Sequence, residues 1–220
     1  MFKKTIYLII ILATLISCNK KKLELPLIPV GGISNITNHS EIWVFYNVEK
    51  EKNKANINKN NIISTTNWII NIDKKLQMKE VVPAIQLIKA KREKKTPHSA
   101  EGVSDYLSYA NNKDKNISLF KIDSIQYLSL DKISSDDLAI HYKSDNNIIF
   151  REKNISINNK EILIDSLKLE NFTIINSKRV HVFFEENITY QSYLEKRVKL
   201  SQIAKGKIIV DGTEYMLINR

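Results

Sequence analysis

The stretch VHVFFEENITYQSYLEKRVKLSQIAKG, Val180 to Gly206, decides the fold. Val180 to Phe184 is β-branched and aromatic, as a buried strand requires. Past Glu185 and Glu186 the period changes, and Tyr190, Leu194 and Val198 recur at four-residue steps, which places them on one face of a helix running to Ile203. Thr189 can cap that helix with its hydroxyl, and Gly206 can end it. A strand, two acidic residues and a capped amphipathic helix make half of a unit in which the helix covers a small sheet.

A second such unit lies upstream. Trp68-Ile69-Ile70-Asn71-Ile72 reads as a strand, and from Met78 the residues Val81, Val82, Ile85 and Ile88 follow at helical spacing, with Pro83 expected near the first turn. Asp73, Leu76, Met78 and Val82 fall on Glu185, Ile188, Tyr190 and Leu194 at a constant offset. Around these two units, Ile42, Val44 and Tyr46 fall on Leu138, Ile140 and Tyr142 of a strand, and Ile57, Asn58 and Ile62 fall on Ile157, Asn158 and Ile162 in the segment with the Asn158-Asn159 turn. Asp123, Gln126 and Tyr127 fall on Asp211, Glu214 and Tyr215. The expected fold is therefore α+β: two tandem small mixed modules, 41–130 and 131–220, each a short sheet covered by one amphipathic helix. Thr96 to Asn116 reads as a polar connection with a short helix near Tyr106 and Leu107. Asp123-Ser124 and Asp211-Gly212 read as hairpin turns.

The order of strand, acidic residue, aliphatic residue and helix, in Phe184-Glu185-Glu186-Asn187-Ile188-Thr189-Tyr190 and in Ile72-Asp73-Lys74-Lys75-Leu76-Gln77-Met78, resembles the periplasmic domain of the ExbD/TolR family. Thr189 and Gln77 stand where that family has proline. The resemblance implies a periplasmic module that binds a partner protein or the cell wall. It does not extend to the family's proton-conducting membrane helix, because the N-terminal apolar segment holds no acidic residue.

That segment supplies the address. Lys3 and Lys4 precede an apolar run, Ile6 to Ile16, which stops at Ser17-Cys18 and is followed by Asn19 and Lys20, Lys21 and Lys22. The run is shorter than the ~20 residues that span a bilayer and has signal-peptide anatomy over 1–17. Leu15-Ile16-Ser17-Cys18 resembles the lipobox of bacterial lipoproteins, which implies that Cys18 carries lipid on its sulfur, including palmitate-like chains, and becomes the mature N-terminus. Residues 18–40, with Pro26, Pro29, Gly31 and Gly32, read as a lipidated tether whose apolar residues can pack on the body. Lys20, Lys21 and Lys22 lie where each adds about 1 kcal/mol of attraction to anionic headgroups. Surface-exported lipoproteins of the Bacteroidota tend to carry acidic residues there, so this basic tether points toward the periplasm, on the cell membrane or the outer membrane.

Composition narrows the function further. The formal charge of +10 falls to +8 when Lys3 and Lys4 leave with the leader. An exported chain without an arginine stripe or an interleaved aromatic pattern is not a nucleic-acid binder. The sole cysteine excludes an internal disulfide. His39, His98, His141 and His181 are not at zinc spacing, so no metal or other cofactor is expected. Neighbouring Glu185 and Glu186 point to opposite faces of a strand and make no catalytic pair. The expected protein is a non-enzymatic, lipid-anchored envelope module whose partners are the membrane and an envelope protein or peptidoglycan. The alternatives are an envelope-associated hydrolase, with His141 or His181 meeting an acid, and a small-ligand-binding lipoprotein.

Overall fold

The structure, a computed structural model, describes residues 22–50, 54–58, 62–93, 102–131, 146–172 and 178–218. It is mixed α/β, mostly strand, with two sheets and two α-helices among the described residues. Sheet one has the order β2 (Ala55–Asn58), β1 (His39–Tyr46), β3 (Asn67–Ile72), β4 (Asp105–Asn111), β5 (Asn116–Lys121). Sheet two has the order β6 (Gln126–Asp131), β11 (Ile209–Ile218), β10 (Arg179–Glu185), β7 (Asn146–Phe150), β8 (Ile155–Ile157), β9 (Lys160–Ile162). Helix α1 (Met78–Glu93) links the parallel strands β3 and β4, and α2 (Tyr190–Ala204) links the parallel strands β10 and β11.

Both helices form where the periodicity places them. Met78, Val81, Val82, Ile85 and Ile88 of α1 are buried, as are Tyr190, Leu194 and Val198 of α2. Pro83 is exposed and sits at the sixth position rather than in the first turn, so Lys79 C=O lacks the amide it would otherwise meet. Thr189 caps α2 by accepting from Ser192 N, and Gly206 holds φ +69°, which favours glycine, just past the end. Thr189→Ala is expected to cost about 1 kcal/mol, read as a lowered urea midpoint. Asn158 and Asn159, with φ of 49° and 67°, turn the β8–β9 hairpin as the sequence indicates.

The two sheets repeat one arrangement. In each, a strand pairs antiparallel with its successor (β1 with β2, β7 with β8) and parallel with the strand that feeds the helix (β1 with β3, β7 with β10). The strand after the helix then pairs parallel on the far side. Where the halves meet, the first amides of each helix, which have no partner within their own helix, bond to the other half. Met78 N donates to Ile188 O at 2.9 Å and Tyr190 N to Leu76 O at 2.7 Å. Lys79 N donates to Glu186 O at 2.9 Å and Gln191 N to Lys74 O at 3.2 Å. These four bonds are reciprocal under the offset that matches Met78 to Tyr190. One contiguous core runs through both halves, from Ile42, Trp68 and Ile70 to Phe150, Val182 and Phe184.

Several local expectations are corrected. Tyr106 and Leu107 lie in strand β4, not in a short helix, because the segment fills the place beside β3. Asp123-Ser124 does not close a hairpin: β5 pairs with β4 in sheet one, β6 pairs with β11 in sheet two, and the turn carries the chain between them. Asp211-Gly212 is an irregularity inside the single strand β11, which takes a register shift between Val180 and Val182 of its neighbour β10. Tyr127 is therefore the register neighbour of Glu214, not the counterpart of Tyr215. The strand that stands to β10 as β1 stands to β3 is β7, while Leu138–Tyr142 lies outside the described residues. Strand β6, within the stretch 41–130 apart from its last residue, pairs with sheet two.

Candidate functional site

The segment expected to be a tether is a strap across both halves. Glu24 N donates to Asp73 Oδ2 at 3.3 Å, and Lys74 N donates to Glu24 O at 2.8 Å. The Glu24 carboxylate pairs with Lys74 Nζ at 3.1 Å and Lys75 Nζ at 3.2 Å, and hydrogen bonds from Lys74 and then Lys75 hold it below its ordinary range. Farther along, Ala110 N donates to Pro26 O at 2.8 Å and Ile28 N to Ala110 O at 3.0 Å, so the strap continues beside β4 where β3 has ended. Gln191, on α2, clamps the same segment from the other half: its Oε1 accepts from Leu27 N at 2.8 Å and its Nε2 donates to Leu27 O at 2.9 Å.

Burial alternates along the strap as in a strand. Pro26 and Ile28 are buried, with Ile28 in the shared core, and Leu27 between them is 48% exposed. The strap then passes Gly32, where a Cβ would stand 2.8 Å from Leu119 O and collide with the Tyr109 hydroxyl, and pairs Ile33 with Leu119 at the edge of β5. Pro and Gly keep this segment out of a helix, as the sequence indicates, but backbone bonds from the first half and the Gln191 side chain of the second order it.

Lys22 is exposed and lies two residues before the Glu24 contact. Cys18, Lys20 and Lys21 lie outside the described residues, as do His98 and His141. The sequence reading missed Glu24, Asp73 and Gln191. Nothing local marks Gln191, because its partner Leu27 is 164 positions away in sequence.

The second polar feature lies inside the core. Glu214, fully buried, accepts from Arg197 Nε at 2.6 Å and from Tyr193 OH at 2.5 Å, and Tyr193 OH lies 3.0 Å from Tyr127 OH. The Arg197 guanidinium also faces the Phe120 ring of sheet one at 5.2 Å. Burial opposes the Arg197 charge, but Glu214 outweighs it and raises this guanidinium above its ordinary range. Burial first, and then the Glu214 charge, pushes the Tyr127 and Tyr193 hydroxyls well up, and burial does the same to Tyr190, whose hydroxyl has no hydrogen-bond partner among the described residues. This fully paired charge reads as a lock on the core, since no substrate atom could reach Glu214 without unpacking it.

The sign of the pH dependence follows. An unfolded tyrosine ionises near pH 10, whereas these three stay neutral well above that in the folded protein. Their contribution is fully present below about pH 10 and is lost as pH rises, by up to ~1.4 kcal/mol per pH unit per tyrosine. Urea midpoints should stay flat in this respect below pH 9.5 and fall steeply above it. Tyr190→Phe should weaken that fall and leave stability at neutral pH unchanged or higher.

His181 is buried on β10, with Nδ1 3.0 Å from Asp211 Oδ2 at the β11 irregularity. Glu185 pairs with Arg151 Nε at 3.1 Å and is a structural ion pair. Tyr106 and Tyr109 are both buried on β4 and form no exposed aromatic surface. Among the described residues no group of three His, Cys, Asp or Glu side chains could hold a metal ion, and no helix is long and apolar enough to cross a membrane. Comparison of the chain with protein-family models, with curated proteins and with solved structures finds no match.

Proposed function

We propose that this chain is a lipid-anchored envelope protein whose body is a non-enzymatic interaction module facing the periplasm, held to the membrane through lipid on Cys18. The observation that carries the proposal is the strap. Within nine residues of the lipobox-like Leu15-Ile16-Ser17-Cys18, the chain bonds to both halves of the body, at Glu24 and at Leu27, which suits an anchor joined to a load-bearing part better than a loose leash.

The body is read as two copies of one strand–helix–strand unit. The reciprocal bonds at Met78, Lys79, Tyr190 and Gln191 support this, and so does the matching order of β1, β2, β3, α1, β4 and β7, β8, β10, α2, β11. In the same proposal, the likeness of Asp73–Met78 and Glu185–Tyr190 to the ExbD/TolR periplasmic domain makes peptidoglycan or an envelope protein the partner class. The test is a fatty-acid label with cell fractionation. Wild type should take up label and sediment with membranes, and Cys18→Ala should do neither; equal labelling of both would overturn the anchor. Enrichment of the Cys18→Ala protein on peptidoglycan or on solubilised envelope proteins tests the interaction role.

A second reading, an envelope-associated hydrolase, is favoured by the His181–Asp211 approach. It requires turnover of an envelope polymer that His181→Ala abolishes without lowering the urea midpoint by a comparable amount.

A further inference from the structure

We propose that the face of the body formed by Lys22, Leu27, Lys74 and Lys75 lies on the bilayer, so that the strap sets the orientation of the module as well as tethering it. The inference rests on lipidation of Cys18 and adds the surface that meets the membrane. Four residue steps separate Cys18 from Lys22, a span of at most about 14 Å fully extended, so the point where the chain joins the body is held close to the headgroups. From there the strap is pinned at Glu24 and Leu27 by bonds to both halves and cannot lengthen without breaking them.

The chemistry of this face suits an anionic lipid surface. Lys22 is exposed, the Lys75 side chain is 54% exposed, and Lys74 is partly exposed beside it. Three lysines against the carboxylates of Glu24 and of the buried Asp73 leave one positive charge, with both lysine ammoniums at 74 and 75 on the solvent side of Asp73. Leu27 projects its side chain outward at 48% exposure while Gln191 holds its backbone, which fixes an apolar group among the cations. Basic residues around an exposed apolar side chain are what interfacial binding uses. The opposite end of the body, at Ile63 and Ile209, lies beyond the far ends of the helices. At 1.5 Å per residue, the 16 residues of α1 put roughly 24 Å between the two ends.

Full-length lipidated protein carrying Leu27→Cys, Ile63→Cys or Ile209→Cys, each labelled with an environment-sensitive fluorophore, is placed in vesicles of phosphatidylcholine and phosphatidylglycerol with a headgroup nitroxide quencher. The label at position 27 should lose most of its emission, and those at 63 and 209 should keep theirs. Lys74→Gln and Lys75→Gln should each lower the docked population about fivefold. Equal quenching at all three positions, or none at 27 while the protein floats with vesicles, overturns the orientation and leaves the anchor standing. Protein that never floats, or that floats equally with Cys18→Ala, overturns the anchor and the orientation with it.

Discussion

Arg197→Met should lower the stability of this protein by about 3–5 kcal/mol, the usual consequence of leaving a buried charge without its partner. Glu214 has no exposed surface, and its two oxygens are taken by Arg197 and Tyr193. Removing the guanidinium strands a carboxylate between β11 and α2 with one hydroxyl to hold it, and also takes away the cation facing Phe120 in sheet one. A double variant, Arg197→Met with Glu214→Leu, should recover much of the loss, because two apolar groups of similar volume need no partner. The measurement is urea unfolding of the single and double variants. A single-variant loss under 1 kcal/mol would mean that water reaches Glu214 and that the network is no lock.

Trp68→Ala should cost a similar amount, about 3–5 kcal/mol, by opening a cavity in the other half. Trp68 is fully buried on β3, its Nε1 donates to Ile63 O at 2.7 Å, and its ring carries the Arg92 guanidinium at 3.6 Å from the centroid. Arg92 in turn holds Asp105 and the carbonyls of Ser64 and Thr66, so the loss spreads to the start of β4. Burial raises the Asp105 carboxyl above its ordinary range and the Arg92 hydrogen bond only partly offsets this. Trp68→Phe keeps a ring beneath the guanidinium and should lose less. Because one core runs through both halves, Arg197→Met and Trp68→Ala should each shift a single unfolding transition. Two separable transitions would show instead that the halves fold independently.

Much of this architecture is written in local signals. The strand at Val180–Phe184, the cap at Thr189, the helical faces of Met78–Ile88 and Tyr190–Val198, and the Asn158-Asn159 turn each depend on residues a few positions apart, whose preferences the tertiary setting here reinforces. Of the strap, only the packing of its apolar residues on the body was legible.

Tertiary structure decided what local chemistry leaves open. An Asp-Gly pair suits a hairpin or a bulge equally, and Asp211-Gly212 became a bulge because β10 pairs with β11 on both sides of it, at Ile209-Val210 and again from Glu214. Asp123-Ser124 became a passage between sheets because β5 and β6 found different partners. Glu214 reads as an ordinary polar strand residue until Arg197 and Tyr193 close on it from the helix above. Gln191 gains its role only when a segment from the far end of the chain is laid beside it. The sequence thus determined the units and their order, since these follow from contacts within one turn or one strand. Which units pair, and which charges are buried together, depended on contacts between distant residues that no local pattern encodes.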